Sequence, residues 1–442
     1  MASAAEQFAR NFNLSAFGKA TELKQRLWFT LAALLVYRLG TYIPIPGIDP
    51  HELQRIFEHQ AQGILGMFNM FSGGALGRMS ILALNITPYI TASIIIQLLT
   101  AILPSLETLK KEGEAGRKRL NQYTRYATVG ISIFQGLLIA RTLQAAGTAV
   151  LDPGLPFLAV TTITLVGGTV FLMWLGEQIT ARGVGNGISL IIFSGIVANL
   201  PAAAGHMLEQ MRTGNMNPIF AVVFLVIAIA VIAFIVFMER AQRRLLVQYP
   251  KRQHGNRMFD GQASHFPLKL NTSGVIPPIF ASSLLLLPAS IAGFQGDSDN
   301  IISEIVSYVA HGKPLYMVLY VVLIAFFSFF YTAVVFNPTE TADNLRKSNG
   351  FIPGIRPGKN TADYFDYVLT RLTVVGAAYL SVVCILPEIL ISQYAIPFYF
   401  GGTSLLIVVS VTMDTVAQIN AHMLAHQYEG LFKKTKLRGR RG

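Results

Sequence analysis

MSILALNITPYITASIIIQLLTAILPSL, Met79 to Leu106, runs for 28 residues without one charged side chain. A helix rises about 1.5 Å per residue, so about 20 apolar residues cross a hydrocarbon core about 30 Å thick. The stretch therefore reads as a membrane span. Pro218 to Met238, Leu270 to Gly296 and Pro314 to Thr339 are equally free of charge and long enough to cross. Of 442 residues 52% are hydrophobic and only 13% charged, about half the charge of a soluble protein. An outer surface turned mostly to lipid accounts for that deficit.

Working outward, the hydropathy places ten spans at 26–44, 78–103, 124–143, 155–177, 187–203, 218–238, 272–292, 314–336, 369–390 and 397–420. An even number puts both ends on one side, and lysine plus arginine select that side. The segments assigned to the inside are the tail through Arg26, the 104–126, 178–186, 239–271 and 337–371 connections, and the tail after 421. They carry 29 of the 35 basic residues. Only Arg55, Arg78, Arg141, Arg212 and Lys313 fall outside, and Arg38 lies within the first span. Both termini are therefore expected in the cytoplasm, in an all-α membrane protein of ten transmembrane helices. Residues 1–25 read as an amphipathic segment lying on the membrane, with no cleavable signal peptide. Residues 424–442 read as a basic cytoplasmic tail.

The net charge of +12 follows from this bias and from contact with anionic phospholipids. Two inner connections exceed that need. Residues 239–271 and 337–371 are unusually long loops, and long ordered loops tend to be functional. Arg243, Arg244, Lys251, Arg252, Arg257, Arg346, Lys347 and Arg356 alternate there with Tyr249, Phe259, Phe266 and Phe351. Such surfaces suit a large anionic partner, RNA or an acidic protein.

The segment 63–77, GILGMFNMFSGGALG, is too short to span. Two readings are open from its residues: an outer loop with an apolar patch, or a re-entrant half-helix buried inside protein. The second span carries Asn85, Thr87, Pro88 and Gln97; inside a helix, Pro88 would free a carbonyl that neighbours must satisfy. Ile86 and Ile90 share a face, as do Ile188 and Ile192. Such pairs serve packing or a constriction alike.

Arg38, Glu177, Arg371, Glu388 and Asp414 all fall toward span ends, where snorkelling is the expected behaviour. Without a mid-span charge, an ion-coupled transporter is disfavoured. No Walker lysine, HExxH or nucleophile elbow is present, so an integral-membrane enzyme lacks its chemistry. Gly183 to Gly187 reads as a tight turn between spans, not a nucleotide loop. His422 and His426 lie four apart with no third ligand nearby, and Cys384 is the single cysteine. Neither a metal site nor a disulfide is expected. A membrane scaffold without a pore remains the other competitor.

Longer runs carry a resemblance. IPIPGID (Ile43–Asp49), FNMFSGGAL (Phe68–Leu76), PYITASIIIQLL (Pro88–Leu99), KKEGEAGRKRLNQYTRY (Lys110–Tyr126), FLMWLGEQIT (Phe171–Thr180) and GNGIS (Gly185–Ser189) span the first half. YPKRQHG (Tyr249–Gly255), FPLKLN (Phe266–Asn271), FNPTETADNL (Phe336–Leu345), PGIRPG (Pro353–Gly358) and PFYFGGTSLLIVV (Pro397–Val409) span the second. Along nearly its whole length the chain resembles the SecY family, central channel subunits of Sec protein translocases. Gly255-Asn256-Arg257 departs from the basic pattern of many relatives.

The resemblance implies an hourglass channel in the bacterial inner membrane, built of two inverted five-helix halves, here 26–210 and 211–423. It assigns Ile64, Leu65, Met67, Phe68, Asn69, Met70 and Phe71 to a re-entrant plug. Ile86, Ile90, Ile188, Ile192, Ile279 and Ile407 become the pore ring; β-branched side chains are stiff and offer no hydrogen bond to a passing chain. Asn85, Thr87 and Gln97 fall at a lateral gate, which an apolar signal sequence would tip by population shift. Lys251, Arg252, Arg257 and Arg356 become docking residues for the SecA motor and the ribosome. SecE and SecG are implied as companion subunits, with secretory and membrane proteins bearing signal sequences as substrates and no cofactor.

Overall fold

In a computed structural model of the protein, residues 21–49, 53, 69, 72–145, 150–214, 218–249, 252–254, 257–259, 263–293, 313–394 and 402–438 are described. Twelve helices and four short strands follow in order among them. They are α1 Thr21–Gly40, α2 Thr87–Ile102, α3 Pro104–Lys111, α4 Glu114–Ala145, α5 Leu155–Arg182, α6 Gly187–Arg212 and α7 Pro218–Arg240. The strands β1 Gln242–Gln248, β2 Arg252–His254, β3 Arg257–Phe259 and β4 Ala263–Lys269 come next, then α8 Ile276–Gly293, α9 Pro314–Val335, α10 Pro338–Lys347, α11 Lys359–Tyr394 and α12 Gly402–Arg438.

Each of the ten expected spans falls on one of these helices. Among the described residues six are long and apolar enough to cross a membrane, and a seventh arises if α2 and α3, bent by 99°, are taken as one. Proline and asparagine set many of the starts. Pro156 and Pro314 sit in the first turns of α5 and α9, where the missing N–H has no helical partner to lose. Asn337 caps α10, its side chain accepting from the amides of Thr339 and Glu340.

The second span departs from expectation. Its helix begins at Thr87 rather than 78, and 78–86 is a string of turns. Met79 and Asn85 there adopt positive φ, 40° and 51°, which no α-helix accommodates. Pro88 thus occupies the first turn of α2, as Pro277 and Pro278 do in α8. The expectation that Pro88 frees a mid-helix carbonyl is corrected: these prolines start helices and break none.

The chain divides into two compact units, Met1–Ile96 with Leu109–Ala202 and Val411–Gly442, and Gln97–Thr108 with Ala203–Ser410. In the first, α4 packs along α5, and α1 also lies against α5. Its core gathers Ile45, Leu76, Met79, Leu84, Leu143, Phe157 and Leu165. The Gly183–Gly187 turn is as tight as expected: Gly185 has φ +89°, the Val184 amide donates to Thr30 Oγ1 (3.0 Å), and the Gly185 amide donates to Gln418 Oε1 (3.0 Å). In the second unit α8 packs on α9, and α9 and α10 pack on α11. The 239–271 connection is not an irregular loop. β1 pairs antiparallel with β4, Gln242 opposite Lys269 through Gln248 opposite Ala263, and β2 pairs with β3.

Close helix contacts rest on glycine. At Gly168 of α5 a β-carbon would meet the Ile81 carbonyl oxygen, whereas at neighbouring Gly167 it would meet nothing. Gly168→Ala is therefore expected to destabilise the solubilised protein by about 1–3 kcal/mol, and Gly167→Ala to leave stability unchanged or raise it by up to about 1 kcal/mol. Thermal unfolding of both variants in detergent checks this; equal losses at the two positions would contradict the packing.

Candidate functional site

The motif Ser72-Gly73-Gly74 forms the bend from which 78–86 and α2 follow. Gly73 and Gly74 take φ of +67° and +82°, a region that only glycine enters freely. Asn69, the one described residue of the expected plug set, is tied to this bend. Its carbonyl accepts from the Gly74 amide (2.8 Å) and the Ser72 hydroxyl (3.0 Å). Its side-chain oxygen accepts from the Gly77 amide (2.7 Å), and the Leu76 amide donates to Ser72 Oγ (3.2 Å). The other plug residues, Ile64, Leu65, Met67, Phe68, Met70 and Phe71, lie outside the described residues, as does Lys251.

Two arginines close the bend. Arg38 Nη1 donates to the Gly73 carbonyl (2.8 Å), and Arg78 Nη2 donates to the same oxygen (3.0 Å). Arg78 Nε adds the Gly74 carbonyl at 3.1 Å. Both guanidinium groups lie over the Tyr42 ring, 5.1 and 4.1 Å from its centroid, a favourable cation–π geometry. Arg38 Nη2 also donates to the Tyr42 hydroxyl (3.2 Å). Arg38, expected to snorkel or to be solvated at the interface, holds a backbone carbonyl, because carbonyls at a non-helical bend have no helical donor. The IPIPGID stretch backs the same region: Pro44 bridges Ser80, the Ile45 amide donates to the Met79 carbonyl (2.9 Å), and the Ile81 amide to the Ile43 carbonyl (3.0 Å).

The six isoleucines sit near helix starts. In the first unit Ile86 and Ile90 are joined by the first backbone hydrogen bond into α2 (3.1 Å). Ile188 and Ile192 occupy the first two turns of α6, whose start Asn186 caps through its side-chain oxygen to the Ile188 amide (3.1 Å). Ile86 and Ile192 are buried, Ile90 and Ile188 half-buried. In the second unit half-buried Ile279 lies in the first turn of α8 and buried Ile407 in the second turn of α12. Asn85 is buried at positive φ just before α2, and Thr87 and Gln97 on α2 are half-buried. Toward the C-terminal end of α5, Glu177 pairs with Arg125 through two hydrogen bonds, 2.9 and 2.7 Å.

In the second unit Arg356 is exposed in a loop between Gly354 and Gly358, both at positive φ. Arg252 and Arg257 fall on β2 and β3. Sequence reading missed the double arginine contact and the ribbon. The signals were present: a glycine pair followed by Arg78, and Leu245-Leu246-Val247 facing Phe266-Pro267-Leu268.

Comparison with known proteins places the chain among relatives. A SecY family model matches residues 80–416. Protein translocase subunit SecY of Rickettsia typhi is 55% identical over 423 residues, 95% of this chain and 98% of the relative. A solved SecY structure, described in terms of a plug domain that stabilises the closed state of the translocation channel, matches with TM-score 0.68 at 18% identity, covering 90% of this chain and 92% of that one. Sec61 in the canine ribosome-channel complex matches with TM-score 0.63 at 18% identity and the same coverage. At that identity the structures speak for the fold, which is shared.

The Arg78 contacts have a measurable consequence. Arg78→Met removes the donor to the Gly73 and Gly74 carbonyls and should destabilise the solubilised protein by about 1–3 kcal/mol. Thermal unfolding in detergent checks this; an unmoved transition contradicts the contact.

Proposed function

Because this chain belongs to the SecY family and is a subunit of a protein-conducting channel rather than an enzyme, we propose that it passes unfolded secretory polypeptides across the bacterial inner membrane and releases transmembrane segments sideways into lipid. Both termini lie in the cytoplasm on this reading, consistent with the 29 basic residues of the inner segments. The observation that carries the proposal is 55% identity to a translocase subunit along 95% of the chain.

The two halves, 26–210 and 211–423, contribute four and two members of an isoleucine constriction: Ile86, Ile90, Ile188 and Ile192, then Ile279 and Ile407. An uncharged ring of stiff side chains resists water and ions yet makes no sequence-specific demand on the passing chain. Residues 63–71 act as the plug, and the Asn69–Gly77 staple supports a fixed outer hinge for it. Asn85, Thr87 and Gln97 keep the lateral gate moderately stable, since polar side chains there replace apolar packing along the seam. SecE and SecG complete the complex. Arg356, Lys251, Arg252 and Arg257 receive the SecA motor or the ribosome, and anionic phospholipids line the inner face. A relative in a ribosome-channel complex supports the ribosome as a partner.

Two outcomes follow. Arg356→Glu should lower ATP-driven translocation into membrane vesicles by about tenfold or more while the protein stays inserted at its normal level, as expected when a charge contact is reversed. Normal secretion in that variant sinks the assignment. Deleting 63–71 should leave a channel that conducts ions in a planar bilayer without a substrate; a tight bilayer would favour a scaffold without a pore.

A further inference from the structure

The two long basic connections do not stand apart. The Gln248 amide donates to the Phe351 carbonyl and the Phe351 amide donates back to the Gln248 carbonyl, both at 2.9 Å. That reciprocal pair adds the 337–371 connection to the β1–β4 ribbon as a third, one-residue strand. Beneath it lies a shared core. Leu245, Val247 and Leu268 of the ribbon pack with Ile352 and with Phe365, Val368, Leu369 and Leu372 of α11. Phe365 is fully buried, with the Phe266 and Phe336 rings at 5.6 and 6.3 Å. Gly350 is tightly packed: a β-carbon would lie 3.0 Å from the Leu345 side chain, 3.0 Å from Tyr249 and 3.2 Å from Val247.

The same body continues into α11. At Gly376 a β-carbon would lie 3.3 Å from the Leu270 carbonyl at the ribbon's base. Farther along, the Val383 carbonyl and Cys384 Cα crowd Gly402, the first residue of α12. Tyr320 and Thr403 share a 2.8 Å hydrogen bond there, and Ile407 follows within five residues. α11 has 36 residues, about 54 Å of helix.

We infer that the two basic connections form one rigid docking body with α11 as its lever, so that load placed on either connection is delivered along α11 to the α12 turn that carries Ile407. This rests on the docking reading above. Packed cores transmit displacement because they are close-packed and barely compressible. Ordered loops held separately would each yield alone. Here neither connection can shift without breaking the Gln248–Phe351 pair and opening the core around Phe365.

The test uses the full translocase in membranes. Directly opposed antiparallel residues lie about 4.5–5.5 Å apart at Cα, within disulfide reach. Q248C/F351C should crosslink on mild oxidation and keep ATP-driven translocation within about twofold of the reduced protein. Gly350→Val should wedge the body apart. The amides of Gln248 and Phe351 then lose protection from hydrogen exchange together, and translocation falls about tenfold while motor binding stays within about twofold. Gly350→Ala, a smaller wedge, should give an intermediate loss in a protein that still folds. Arrested translocation in the crosslinked protein, independent exchange at the two amides, or full activity with a wedged Gly350 would each overturn the lever. If Arg356→Glu leaves motor binding intact, the docking assignment fails, whereas the crosslink and exchange results judge the rigid body on their own.

Discussion

A backbone that leaves the helix inside an apolar bundle has no water to bond with, and each unpaired carbonyl there costs several kcal/mol. Residues 72–86 are such a backbone, and the first unit is arranged around supplying them with partners. Arg38 from the end of α1 and Arg78 from the segment itself converge on one oxygen, that of Gly73. Asn69 and Ser72 supply the acceptors for the amides of Gly74, Gly77 and Leu76. The IPIPGID stretch pairs with Met79 to Ile81. Two guanidinium groups on one carbonyl would repel each other, and the Tyr42 ring over which both lie offsets part of that repulsion.

This arrangement decides where α2 begins and hence where Ile86 and Ile90 are presented. If the helix continued back to 78, as hydropathy alone suggests, Asn85 and Met79 would be helical and the bend would vanish. The left-handed residues prevent it. Pro88 then falls where proline stabilises a helix instead of kinking it. Gly168 permits the turns to approach α5 so closely that no side chain intervenes.

Between α7 and α8 the protein uses another device. The ribbon turns Leu245, Val247 and Leu268 inward and leaves Arg244, His265 and Lys269 to solvent, the period-two alternation of a half-buried strand. Basic side chains are thereby held on a firm support instead of on a loose loop, and α11 ties that support to the membrane-embedded part of the second unit.

Much of this was legible in the residues. The charge deficit, the uncharged runs and the clustering of 29 of the 35 basic residues in alternate connecting and terminal segments determined a polytopic membrane protein, because span length and charge bias act locally and need no partner. Each of the ten expected spans overlaps a helix, the second only from Thr87 onward, since hydropathy in lipid leaves a helix little alternative. The long motifs identified the family. Tertiary structure decided the rest: the start of α2, the use of Arg38, and the union of the ribbon with Phe351. Each depends on a contact between residues distant in sequence, Arg38 with Gly73 or Gln248 with Phe351. A hydrogen bond of that kind forms only where folding has brought its donor and acceptor within 3 Å or so of each other, and no local pattern of side chains announces it.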